Sequence, residues 1–155
     1  MKQLLNVLAA ILLVLFISCK KDQAEALTPW YPETNANGDS VMGEFGSRIP
    51  CADCERLKFS LVIYEDAQTK LPTTYMMARV YVGRDESRII NSGNIQVRLG
   101  TALDPNHTVY ELISGAPSEF TLFWKVDENI LFILDPNRQP KVGDAGYGYA
   151  LNRIR

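Results

Sequence analysis

Ile49-Pro50-Cys51-Ala52-Asp53-Cys54-Glu55 runs, after Arg56, straight into Leu57-Lys58-Phe59-Ser60-Leu61-Val62-Ile63-Tyr64-Glu65. In the second half Leu57, Phe59, Leu61 and Ile63 alternate with Lys58, Ser60, Val62 and Tyr64. That period of two belongs to a half-buried strand, not to a helix. The first half is a turn with two thiols three positions apart. Thiols so placed can close a disulfide, bind a soft metal or exchange with other thiols, and the sequence leaves the three open.

Downstream the same grammar repeats. Residues 73–82 are rich in aromatic and β-branched side chains and end at Gly83. Residues 87–91 and 94–99 flank Ser92-Gly93, which reads as a turn, and residues 108–113 follow Asp104-Pro105-Asn106. Phe120, Leu122, Trp124 and Val126 alternate with Thr121, Phe123 and Lys125 before Asp127-Glu128-Asn129 turns the chain into residues 130–134, the clearest hairpin. Residues 147–154 supply a last strand. No window past residue 18 has a convincing 3.6 period, and prolines at 105, 117, 136 and 140 punctuate the second half. The expected fold is all-β, a small antiparallel up-and-down barrel in which short connections join neighbouring strands and closure removes exposed edges.

Upstream, residues 1–18 carry Lys2 and an unbroken apolar run from Val7 to Ile17, the pattern of a signal peptide. Eleven helical residues reach about 16 Å, roughly half a bilayer's hydrocarbon core, so a permanent span is not expected. Phe16-Ile17-Ser18-Cys19 resembles a bacterial lipobox, with Phe16 in the place usual for Leu. Cys19 is therefore expected to become the lipidated first residue of the mature chain. Acyl chains there, at about 0.8 kcal/mol per buried methylene, would hold the protein to a membrane. Residues 19–40 turn to Lys, Asp, Glu, Pro, Asn and Gly and are expected to be a flexible tether, with the barrel over residues 41–155.

Cleavage before Cys19 leaves 137 of the 155 residues, enough for one domain with a sizeable core, and loss of Lys2 takes the formal net charge from −2 to about −3. With no basic stripe, nucleic acid is not an expected partner.

The stretch 49–57 resembles the N-terminal domain of the envelope lipoprotein NlpE family, whose members carry Leu-Pro-Cys-Ala-Asp-Cys-Glu-Gly-Ile ahead of a strand. Pro50, Cys51, Ala52, Asp53, Cys54 and Glu55 match it, whereas Arg56 stands where the family has Gly. The likeness continues in outline through Tyr81-Val82-Gly83, Tyr110-Glu111-Leu112, Phe123-Trp124-Lys125-Val126 and Tyr149-Ala150-Leu151-Asn152-Arg153. Asn94 and Ile95 stand where the family commonly has a Trp, and the chain carries one such domain. The resemblance implies a lipocalin-like barrel, a lipid-anchored place in the envelope at the outer membrane of a Gram-negative bacterium, roles in copper tolerance and envelope stress, and an envelope sensor protein as partner.

The residues themselves set the terms for that chemistry. Paired thiolates suit Cu(I) when reduced, and copper is the one cofactor the chain suggests. A closed zinc site wants four N or S ligands, and beyond Cys51 and Cys54 only His107 is on offer. His107 reads as a solvated loop residue. Met42, Met76 and Met77 carry thioethers, but Met76 and Met77 must face opposite sides of a strand. Asp53 and Glu55 beside the thiols oppose thiol activation. No catalytic constellation stands out, and the chain is expected not to be an enzyme. Two rival readings remain, a carrier of a small apolar ligand inside the barrel and a structural cell-surface lipoprotein. A hollow interior would favour the carrier and a filled one a binding module.

Overall fold

The computed structural model describes residues 29–143 and 148–155. The chain divides into two units, Met1–Trp30 and Tyr31–Arg155. The expected signal peptide and Cys19 fall outside the described residues.

The second unit is an eight-stranded closed barrel in which every strand pairs antiparallel with its sequence neighbour. The strands are β1 Ser40–Ile49, β2 Arg56–Glu65, β3 Pro72–Val82, β4 Asp85–Leu99, β5 Thr108–Ile113, β6 Leu122–Lys125, β7 Ile130–Ile133 and β8 Ala150–Arg153. Closure comes from β1 on β8, where Phe45 lies opposite Arg153 and Gly46 opposite Asn152. The up-and-down topology expected from the short connections is the one observed.

The alternation in β2 does what its period requires: Leu57, Phe59, Leu61 and Ile63 enter the barrel and are buried. They meet Phe45, Tyr75, Met77, Tyr110, Phe123 and Leu131 from the other strands in one continuous core. The rings of Phe59 and Phe120 lie 4.9 Å apart and those of Phe59 and Phe123 6.3 Å apart. The barrel interior is thus packed with side chains.

Three sequence expectations change. Ser92-Gly93 is not a turn: β4 runs through it as one strand of 15 residues. Phe120 belongs to a 3-10 turn, Ser118–Phe120, and β6 begins only at Leu122. The tether expected through residue 40 is folded from Tyr31 onward. Tyr31 is buried and its hydroxyl donates to Glu44 Oε2 at 2.9 Å, while Tyr64 donates to the Pro32 carbonyl at 2.9 Å. Asn35 Nδ2 donates to Asp39 Oδ2 and to Thr74 Oγ1, each at 2.8 Å, and Thr73 Oγ1 donates to Asp39 Oδ2 at 2.6 Å. Polar composition suggested a tether, but these side chains find partners on the barrel wall, which removes the cost of ordering them without water.

Candidate functional site

Pro50 follows the last residue of β1 and, having no N–H to donate, suits a place just past the strand's end. The last β1–β2 pair is Ile49 opposite Leu57 and β2 starts at Arg56, so residues 50–55 form the turn at one mouth of the barrel. Within it Cys51 and Cys54 are joined in a disulfide with Cα atoms 5.3 Å apart. Both cysteines are half-buried and Asp53 between them is exposed. Closing so short a ring restricts the unfolded chain little, on the order of 2 kcal/mol by the chain-entropy estimate.

The turn is fastened to the neighbouring hairpin. The Glu55 N–H donates to the Val82 carbonyl at 3.0 Å, and Asp53 forms an ion pair with Arg84. Both charged groups are largely exposed, so the pair orients the loop more than it stabilises the fold. Gly83 has φ +81°, and a Cβ there would come within 3.0 Å of the Glu55 side chain. Arg56, where the family has glycine, is not among the residues with positive φ, so the position makes no demand for glycine in this chain.

Beside the disulfide lies an open pocket of about 270 Å³, whose lining includes Cys51, Leu57, Tyr81, Phe120, Lys141 and Tyr149. Lys141 reaches over its rim. Its Nζ donates to the Glu119 carbonyl at 2.8 Å and sits 5.6 Å from the centre of the Phe120 ring and 5.9 Å from that of Tyr149. The pocket therefore has aromatic walls, one cation and an oxidised sulfur pair at its edge.

The remaining sequence candidates are not brought to this mouth. Met42 lies seven residues along β1 from Ile49 and Met76 six residues along β3 from Val82, roughly 20 Å or more at strand rise. Met77 is fully buried in the core, whereas Met76 faces outward against the Tyr64 hydroxyl at 3.5 Å. His107 sits just before β5, toward the other end of the barrel. It is not merely solvated: its Nδ1 lies 2.9 Å from Thr101 Oγ1 and its ring stacks on Trp124 at 4.3 Å. Among the described residues, Cys51, Asp53 and Cys54 form the group whose donor atoms come within 4.8 Å of one another. Sequence reasoning passed over Arg84, Lys141 and Tyr81 as site residues. Arg84 and Lys141 sit in connections with no period to place them.

The sequence model of the NlpE N-terminal domain matches residues 45–144, well over half of the chain. The protein belongs to the NlpE N-terminal domain family. A Shewanella oneidensis protein described as a lipoprotein is similar in structure, at 22% identity over 80% of this chain and 98% of that one, with a TM-score of 0.48. The Cpx pathway activator NlpE from Escherichia coli is similar at 23% identity over 68% of this chain and 48% of its own, with a TM-score of 0.45. This NlpE-family chain thus spans about half the length of that activator. No curated protein matches it.

Proposed function

We propose that this NlpE-family protein is an envelope lipoprotein, anchored by lipid on Cys19 at the outer membrane, that takes part in envelope stress sensing and copper homeostasis through the Cys51–Cys54 turn. The observation that carries the reading is the position of the disulfide, half-buried at a barrel mouth and not in the core. Bonds so placed are open to thiol exchange, and the ladders on either side can persist when this one opens.

The donor set fits copper in one state only. Oxidised, the two sulfurs are bonded to each other; reduced, they are two soft thiolates of the kind that suit Cu(I). Cys51 and Cys54 would hold the metal, with Asp53 beside them, and the methionines stand too far away to help. Function then follows from binding, not catalysis, with the turn as the surface that an envelope sensor protein reads. The packed interior favours this reading over an apolar ligand enclosed in the barrel.

The test compares the full chain with a Cys51→Ser, Cys54→Ser double variant, each titrated with Cu(I) under reducing conditions. One Cu(I) per chain is expected for the wild type and none for the variant; equal binding defeats the metal role. Mass spectrometry of the membrane fraction should show lipid on Cys19, and an unmodified soluble N-terminus would defeat the anchor.

A further inference from the structure

Tyr75, Met77, Arg79 and Tyr81 alternate along β3 and share its inward face, so an arginine stands on a stripe that otherwise builds the core. Arg79 is 7% exposed and lies opposite Phe59 on β2 and Ile89 on β4. Its partners are neutral. Nη1 donates to the Tyr81 hydroxyl at 3.1 Å and Nη2 to Asn91 Oδ1 at 3.0 Å, while Nε is buried with no acceptor. No carboxylate forms an ion pair with Arg79 among the described residues. A buried guanidinium without a counter-ion is costly, because its charge has left water and met no opposite charge.

The unfilled donor is on a particular edge. Nε–H and one Nη2–H point the same way and together make the fork that a carboxylate or phosphate fills with two oxygens. Asn91 offers a single amide oxygen, which takes Nη2 and leaves Nε empty. Asn91 is itself only half-buried.

The wall beside this edge is open. The β4–β5 ladder begins at Asn94, so among the described residues the preceding stretch of β4, from Asp85, is paired with β3 on one side only. Ile89, directly across from Arg79 and facing the same way, is 40% exposed, although Phe59 and Met77, the apolar side chains beside Arg79 on β2 and β3, are buried.

We propose that the Nε–Nη2 edge of Arg79 binds the anionic head of an amphiphile, carboxylate or phosphate, which reaches it along Ile89 through the open side of β4. Asn91 holds the place of the anion when the site is empty, and the Tyr81 hydroxyl fixes the far side of the guanidinium. The apolar part of the ligand lies on Ile89. This site is separate from Cys51 and Cys54 and stands whether or not they bind metal.

The test titrates the purified full chain with submicellar dodecanoate, dodecyl phosphate and 1-dodecanol, read by thermal unfolding and equilibrium binding. At least one of the two anions should raise the melting temperature by several degrees, and the better of them identifies the head group; dodecanol should not. Arg79→Met replaces the buried charge by an apolar chain of similar length, so it should fold as well as the wild type. It should bind the anion about tenfold more weakly or worse, the equivalent of one lost charge-assisted hydrogen bond. Asn91→Ala, which vacates the place of the anion, should bind at least as tightly as wild type. Equal binding by Arg79→Met, an equal response to dodecanol, or no response to either anion overturns the proposal.

Discussion

The Tyr64 hydroxyl donates a hydrogen bond of 2.9 Å to the Pro32 carbonyl, tying the outer face of β2 to a segment that precedes the barrel. Tyr64 and Val62 both point outward, yet both are buried, and Val62 lies opposite Glu44, the residue that accepts from Tyr31. Residues 31–39 therefore work as a cover for the wall. A fragment starting at Ser40 uncovers two large apolar side chains, a loss on the order of 3 kcal/mol. We expect its urea midpoint to fall clearly below that of a fragment starting at Tyr31. Matching midpoints would mean that the segment contributes nothing to the fold.

Burial also raises the Tyr64 hydroxyl from 10.0 to about 12, with Tyr31 nearby adding to the shift. The fold favours the neutral phenol, so this stabilisation is complete below pH 10 and is lost as pH climbs through about 12. Two pKa units correspond to on the order of 2 to 3 kcal/mol. Wild type should lose stability steeply across that window. Tyr64→Phe gives up a hydrogen bond at neutral pH, about 1 kcal/mol, but should lose less from pH 10 to 12, with Tyr31, Tyr75 and Tyr110, also raised by burial, contributing to what remains. Chemical denaturation at several alkaline pH values checks this, and parallel curves for the two proteins would rule out Tyr64 as the titrating group.

The barrel was legible because its strands keep a period of two with polar turns between them. The hairpin at Asp127 is a case in which turn chemistry is written locally: Asp127 Oδ1 accepts from the Asn129 and Ile130 N–H groups at 2.7 and 2.9 Å. The cysteine turn was legible for the same reason, since its residues are contiguous. What escaped depends on contacts between distant segments. Asn35 and Asp39 look like linker residues until Thr73 and Thr74 are placed beside them. Lys141 joins the cysteine mouth only through barrel closure. Arg79 did leave a signal, a charge at an inward position of an alternating strand, but the same alternation would fit an edge strand with one wet face. Ser92-Gly93 misled because glycine marks both turns and close backbone approaches, and here it marks the second.

That close approach gives a sharp prediction. At the point where β4 stops being covered by β5, the chain at Ser114-Gly115 crosses Ser92-Gly93 and is held there by the Tyr75 hydroxyl, which donates to the Ser114 carbonyl at 2.5 Å. A Cβ on Gly93 would lie 2.5 Å from the Ser114 carbonyl oxygen and 2.8 Å from that of Ile113. A Cβ on Gly115 would lie 2.3 Å from the Ser92 carbonyl oxygen, at φ +73°. These obstacles are backbone, so no rotamer change relieves them. Gly38 isolates the conformational part of the cost, because its φ is +85° but a Cβ there would meet nothing within 4 Å. Gly38→Ala should cost about 1 to 2 kcal/mol, the penalty of a left-handed residue alone. Gly93→Ala and Gly115→Ala should each cost more, roughly 3 kcal/mol or above, because two chain segments must separate. Thermal or urea unfolding of the three variants decides the matter: if Gly93→Ala is no more damaging than Gly38→Ala, the crossing is not the tight clamp that these distances describe.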